Sequence, residues 1–256
     1  MSVATAVPQK TPLAAFLAKN PFDAPLTFGF FYREKMRAIH RIAPDGPFKR
    51  ILEVGGGRSG LTRMLYPAAH ITNLDMDPSF ADVPCNRQEG VTFVCGDATR
   101  LEFPDRSFDI VTMFDVIEHV PDDRRALAEA FRVLKPGGYL LLSTPNEYWR
   151  FPYYRFMDAM CPTEEEKFAE WGHVRRGYSR EQLEALIGWH CEQWATFISP
   201  VTVLCHDVAF SNAPARVRRA ICLALAPLTW AGYAAHRPGA RGTETAYAWQ
   251  KRMDAA

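Results

Sequence analysis

A chain of 256 residues with 48% hydrophobic content is long enough to bury a sizeable core in one domain and is ordinary for a globular protein. Thirty Lys and Arg against 29 Asp and Glu leave a formal net charge of +1, which predicts no strong attraction to nucleic acid. Six cysteines (Cys85, Cys95, Cys161, Cys191, Cys205, Cys222) are scattered without C-x-x-C spacing, so they read as reduced core thiols of a cytoplasmic protein, and no metal is expected.

In chain order, Met1 to Pro12 has no basic start followed by an apolar stretch, so no secretory signal is expected. Residues 1–47 form a lead-in, aromatic-rich over Phe22 to Phe31 and helical over Tyr32 to Ile42, with Arg33, Lys35, Arg37 and Arg41 partly exposed. A main domain, 48–256, begins with the buried strand Ile51-Leu52-Glu53-Val54, which turns through Gly55-Gly56-Gly57-Arg58-Ser59-Gly60 into an amphipathic helix, Leu61 to Tyr66. Glycines lack the Cβ that would block positive φ or close ligand approach, and a helix start presents unpaired N–H groups, so the turn is a nucleotide-type binding loop. It satisfies G-x-G-x-x-G through Gly55, Gly57 and Gly60.

A second strand, Ile71 to Leu74, ends at Asp75-Met76-Asp77-Pro78, and Asp75 stands at the roughly 20-residue offset of a ribose-binding acid. At a strand's carboxyl end such a carboxylate accepts from both ribose hydroxyls; as a plain turn former it would do nothing of the kind. Val91 to Cys95 is a third strand delivering Gly96-Asp97-Ala98, where Asp97 is placed to accept from an adenine amino group. A fourth strand, Phe108 to Phe114, runs into Asp115-Val116-Ile117-Glu118-His119-Val120. The helix Asp122 to Leu134 carries Leu127, Phe131 and Leu134 on one face and is stopped by Pro136-Gly137-Gly138, and Tyr139 to Leu142 is a fifth strand. Alternating strands and helices with short connections argue for right-handed crossovers and a parallel sheet.

A lid insertion, about 147–180, carries Tyr148, Trp149, Phe151, Tyr153, Tyr154 and Phe156, then Trp171 to Tyr178; a mini-core packing the insertion onto the domain accounts for most of these aromatics. Ser179 and Gln182 cap a helix to Leu186, and Glu192 to Ser199 and Thr245 to Gln250 are the last two strands. Between them an apolar helical insertion, about 206–240, has Arg216, Arg218 and Arg219 ahead of the nearly uncharged Ala220 to Ala235. That run is too short, with Pro227 inside, for a bilayer span; it fits a buried helical pair or dimer contact, or a peripheral membrane contact through 216–235.

Together Glu53-Val54-Gly55-Gly56-Gly57, Asp75, Gly96-Asp97-Ala98, Phe108-Asp109, Asp115 to Val120 and Leu134-Lys135-Pro136-Gly137-Gly138 make residues 48–146 resemble the class I S-adenosylmethionine-dependent methyltransferases, in particular the broad type 11-like small-molecule group. The family loop is usually G-x-G-x-G, whereas here Arg58 and Ser59 separate Gly57 from Gly60. The resemblance implies an α/β fold: a Rossmann-like, doubly wound, mostly parallel seven-stranded sheet with an antiparallel last strand, plus the helical and aromatic lid, and a lead-in that covers the cofactor. It implies S-adenosylmethionine held by Glu53, Gly55, Gly57, Asp75, Met76, Asp97, Ala98 and Asp115, with Glu53 supporting the loop or approaching the methionine ammonium. Independently, a carboxylate before the loop suits a cationic ligand better than a pyrophosphate, although a buried acid paired with its surroundings has the same sequence.

Methyl transfer needs an in-line nucleophile in a dry site; for oxygen, a near-neutral histidine is the natural base. His119, at the fourth strand's edge, is the first candidate and His173 in the lid the second, each with a structural role as the alternative. Arg175 and Arg176 are read either as binders of an acidic substrate or as solvated lid charges. The expected activity is methylation of a small molecule, most directly at oxygen, with an aromatic or lipid-linked acceptor; the alternatives are an NAD(P)-dependent oxidoreductase and a non-catalytic S-adenosylmethionine-binding scaffold.

Overall fold

The computed structural model describes residues 10–22, 24 and 26–253, so most of Met1 to Pro12 lies outside the described residues. Two helices lead in, α1 (Leu13–Ala18) and α2 (Phe28–Ile42), the second starting four residues earlier than its polar-apolar pattern predicts because Phe30 and Phe31 are also buried. Then follow β1 (Arg50–Val54), α3 (Leu61–Leu65), β2 (His70–Asp75), β3 (Val91–Cys95), β4 (Phe108–Phe114), α4 (Asp123–Val133), β5 (Leu134–Pro145), α5 (Glu164–Trp171), α6 (Arg180–Ile187), β6 (Gln193–Phe197), α7 (Val203–Ala209), α8 (Ala215–Ala235) and β7 (Glu244–Gln250).

The seven strands form one sheet in the order β3-β2-β1-β4-β5-β7-β6. Strands β1 to β5 pair in parallel and β7 runs antiparallel between β5 and β6, as the resemblance implies. Strand periodicity sends Ile51, Ile71, Ile110 and Leu141 to one face and Leu52, Leu74, Val111 and Leu142 to the other. The first face is covered by α1, α2, α3 and α7, the second by α4 and α6, giving a three-layer sandwich. The order of connections reverses between β1 and β4, and at the carboxyl edge of such a switch point ligands bind in open α/β sheets.

Two local expectations need correction. Pro136-Gly137-Gly138 is not a helix stop after Leu134: α4 ends at Val133, and Leu134 already pairs with Phe108 as the first residue of β5. The extra residues are absorbed as an irregularity between Phe108 and Ile110, held by Gly137 N–H donating to Lys251 O at 2.8 Å and Lys251 N–H to Gly138 O at 2.8 Å. Cys95, read as a core thiol because its strand is apolar, is exposed, since β3 is an edge strand; all six cysteines are free.

Candidate active site

The loop after β1 is pressed against its neighbours and then loosens. A Cβ on Gly55 (φ +66°) would lie 2.5 Å from Val116, and one on Gly56 would lie 2.4 Å from Asn73 Oδ1 and 2.7 Å from Glu53. At Gly57 (φ +51°) the fit is looser: a Cβ would meet Phe80 at 3.6 Å and Asp75 Oδ2 at 3.7 Å, ordinary van der Waals contact, so the backbone conformation rather than crowding favours glycine there. Gly57 N–H donates to Asp75 Oδ2 at 3.0 Å, and Asp77 N–H to Asp75 Oδ1 at 3.1 Å, which fixes this half-buried carboxylate against the glycines with a lone pair left on each oxygen.

Glu53 is buried beneath the loop and accepts from Thr62 N–H at 3.3 Å. Burial raises its pKa, while the Thr62 hydrogen bonds and Lys35 pull the other way. Leu61 N–H donates to Ser59 Oγ at 3.3 Å, so the first N–H groups of the five-residue α3 are spent on the loop itself rather than turned outward to an anion.

Register pairs Asp75 with Cys95, so Asp97 follows at the neighbouring strand end; it is exposed and accepts from Thr99 N–H at 2.8 Å, with Ala98 buried behind it. Met76 is 74% exposed and makes no contact with the loop glycines that a Cβ would reveal.

The end of β4 is the chemical centre of the molecule. Asp115 sits at φ +53°, a conformation aspartate tolerates better than most residues; its N–H donates to Ser143 O at 2.9 Å and its carboxylate accepts from the Ser143 hydroxyl. Lys35, reaching down from α2, pairs with Asp115 Oδ2 at 2.6 Å. Burial alone would raise the Asp115 pKa, but Lys35 and the Ser143 bond outweigh it and hold the carboxyl below its usual range. Glu118 is 1% exposed with neither carboxylate oxygen hydrogen-bonded, and burial together with Asp115 pushes its carboxyl up to about 8.

His119 Nδ1 lies 3.1 Å from Gly172 O; a carbonyl only accepts, so Nδ1 carries the proton and Nε2 keeps the free lone pair of the neutral ring. His173 meets His119 edge-on, ring centroids 4.7 Å apart, and burial, then His119, lowers its pKa to about 4. Asp115, Glu118, His119, His173, His206 and Glu244 line a cavity of about 150 Å³ walled by Trp149 and Trp171. A second cavity of about 220 Å³ shares Asp115, His206 and Glu244 with it and is otherwise mostly aromatic, with Phe28, Phe31 and Phe210 among its walls beside Lys35 and Ile198. A larger surface cavity, about 690 Å³ beside Arg132 and Trp189, opens near the start of β4 and the end of β7, away from the glycine loop.

The lid is fastened over this centre. Val174 N–H donates to Glu118 O at 3.0 Å, and the Arg175 guanidinium donates to the carbonyls of Ile117 (3.1 Å), Val120 (2.8 Å) and Pro121 (3.0 Å) while pairing with Asp123 at 3.0 Å. Arg175 is thus neither an anion binder nor a solvated charge but a staple, and Arg176 pairs with Glu164 at 2.7 Å. Trp149 and Phe151 are buried against Phe168, Trp171, His173, His206 and Phe210, the mini-core expected of the insertion, whereas Phe156 is exposed. Lys35, Glu118, His206 and Glu244 were not singled out in the sequence; Glu118 alone had a signal, being flanked by Asp115 and His119 in one run.

A family model described as a methyltransferase domain matches residues 52–142. A phthiotriol/phenolphthiotriol dimycocerosates methyltransferase of Mycobacterium tuberculosis is 43% identical over 134 residues, 49% of each chain. A ubiquinone biosynthesis O-methyltransferase of Coxiella burnetii is 34% identical over 116 residues, 43% of this chain and 50% of that protein. The chain therefore spans about half the length of the curated relatives it matches. The crystal structure of the N-methyltransferase NodS of Bradyrhizobium japonicum, in complex with S-adenosyl-L-homocysteine, shares the fold at a TM-score of 0.55 and 15% identity, covering 93% of this chain and 96% of that one.

Proposed function

Because residues 52–142 are a class I S-adenosylmethionine-dependent methyltransferase domain, we propose that this protein methylates an oxygen of a small acceptor seated in the paired cavities beyond Asp115. The observation that carries the proposal is a chamber of carboxylates and imidazoles, walled by tryptophans and continuous with an aromatic antechamber, at the carboxyl edge of the sheet beside the glycine loop. The residues fit S-adenosylmethionine: the Asp75 carboxylate, held by Gly57 N–H, keeps a lone pair on each oxygen for ribose hydroxyls, Glu53 places an acid below the loop, and the first N–H groups of α3 are already engaged, which disfavours the pyrophosphate of a dinucleotide. Glu53, Gly55, Gly57, Asp75, Met76, Asp97, Ala98 and Asp115 are the residues proposed to hold it. When bound, the cofactor supplies a sulfonium methyl group to the acceptor.

The chain's own contribution is orientation, dryness and proton removal. Trp149 and Trp171 wall one side of the chamber, and an acceptor seated against them would displace water from it, which strengthens the charge interactions there. His119 Nε2, with Nδ1–H anchored on Gly172 O, is positioned as the acceptor of the hydroxyl proton, and His173 is the second candidate. An aromatic or lipid-linked acceptor suits the antechamber. The outer side of α8 suits it as well: Leu223 is 65% and Leu228 52% exposed, with Arg216 and Arg219 exposed at its start, a pattern that lies on an anionic membrane surface. Among the described residues no helix is long and apolar enough to cross a membrane.

Calorimetry with S-adenosylmethionine, S-adenosylhomocysteine and NAD tests the cofactor, and Asp75→Asn is expected to weaken the first two by about 10- to 100-fold, the worth of hydrogen bonds to a charged acceptor. Tight NAD binding without S-adenosylmethionine binding overturns the proposal. Transfer of a labelled methyl group to phenolic acceptors tests turnover; His119→Ala should lower kcat and leave S-adenosylhomocysteine affinity in place, and an unchanged rate removes His119 from proton transfer.

A further inference from the structure

Two adjacent residues after β4 and one residue of the lid leave an unusual set of valences unfilled. Both oxygens of the Glu118 carboxylate are buried without a hydrogen-bond partner, and so is His173 Nδ1. Buried carboxylates without a partner are rare because desolvating the group is costly, so such an orphan is completed by a proton or by a cation, and the neighbouring imidazoles favour the cation. Lys35 does not fill that role, being committed to Asp115 at 2.6 Å. His119 donates its Nδ1–H to the Gly172 carbonyl, the arrangement that fixes the tautomer and raises the basicity of metal-ligating histidines. One donor atom from each of Glu118, His119 and His173 lies within 4.8 Å of the others. Around an ion with bonds of about 2.0–2.2 Å, donors stand about 3–3.5 Å apart, so small side-chain rotations close the set.

We propose that Glu118, His119 and His173 form a binding site for a divalent transition-metal ion, held by two imidazoles and one carboxylate with its remaining positions open to the acceptor chamber. Imidazole donors select zinc, iron, cobalt or nickel over magnesium and calcium, which take oxygen donors. The lid's fastening serves the site directly: Val174 N–H on Glu118 O and Arg175 on Ile117 O keep His173 against the Glu118-His119 pair, and Trp149, Phe168 and Trp171 pack around its ring. Lys35 already balances Asp115 in the same cavity, so Glu118 is the carboxylate left to meet a dication. A bound ion takes the His119 and His173 lone pairs, so in the loaded site it would replace the free imidazole as the group that activates an acceptor oxygen at the open positions; that role rests on the methyl-transfer proposal, whereas occupancy by the ion does not.

The full chain, stripped with a chelator, is titrated with Co²⁺ while d–d absorption is followed, and with Zn²⁺ by calorimetry. The expected result is about one ion per chain, with affinity reduced about 10- to 100-fold or more in Glu118→Gln and in His173→Asn. Should Glu118→Gln fail to fold by circular dichroism, His173→Asn, a change in the lid, carries the test alone. Absence of saturable binding, or binding that both variants retain in full, for instance at the exposed His190–Glu184 pair, overturns the proposal. S-adenosylhomocysteine affinity is measured on the same samples: ion binding without it leaves the metal site standing and removes the methyl-transfer role, and the converse result removes the metal site alone.

Discussion

Replacing Lys35 by Met leaves Asp115 in the chamber facing Glu118 and Glu244 without its cation. Breaking a fully buried ion pair costs about 3–5 kcal/mol, while an exposed pair is worth about 0–1 kcal/mol. Lys35 is 13% exposed but Asp115 retains 32%, which places this pair between the two limits, at about 2 kcal/mol. For a chain of this size that is a fall in Tm of about 4–8 °C. The loss is electrostatic rather than steric, because Met keeps the length of the lysine stem. Asp115→Asn in the Lys35→Met background should therefore restore about 1–2 kcal/mol relative to additivity. Urea unfolding of the four proteins in chelator measures the cycle. A Lys35→Met protein within about 0.5 kcal/mol of wild type, or strictly additive changes, would show that α2 is not held over the site by this pair.

Glu34, buried in α2 with one oxygen accepting from the Thr202 hydroxyl at 3.2 Å, has its pKa pushed by burial from about 4.5 to about 8. The folded state then binds a proton that the unfolded state has lost, so this group's contribution to stability falls as pH rises between those values and is level outside them. Glu34→Gln should make the stability profile shallower there by up to about 1.4 kcal/mol per pH unit; an unaltered profile refutes the shift. Arg175→Met removes the staple from Ile117, Val120 and Pro121 and is expected to cost about 2 kcal/mol and to speed hydrogen exchange at Val174 N–H; unchanged exchange there refutes the lid's anchoring. Flotation with anionic liposomes should carry the wild-type protein and lose the double variant Leu223→Glu, Leu228→Glu; no vesicle binding by wild type retires the membrane surface.

Whatever depends on near neighbours in the chain was legible before any coordinates. The alternation of Ile51 against Leu52 and Val54 set two faces of a strand, Gly55 and Gly57 sit where positive φ is needed, and Ser179 and Gln182 cap α6 reciprocally, each side chain accepting from the other's backbone N–H. These signals are local because backbone sterics and strand periodicity are local. The charge state and partners of the site were not legible. Lys35, read as one of four partly exposed cations, is an internal counter-ion because β4 delivers Asp115 beneath it. Arg175, which the sequence left open between a binder of an acidic substrate and a solvated lid charge, is a staple because the fold puts three carbonyls in its reach. The adjacent pair Glu118-His119 and the separate His173, His206 and Glu244 come from distant segments, and only the sheet order and the lid's hydrogen bonds bring them into one cavity. Desolvation, which raises the Glu118 and Glu244 carboxyls and lowers the His173 imidazole, is a property of the packed surroundings and has no counterpart in the order of the residues.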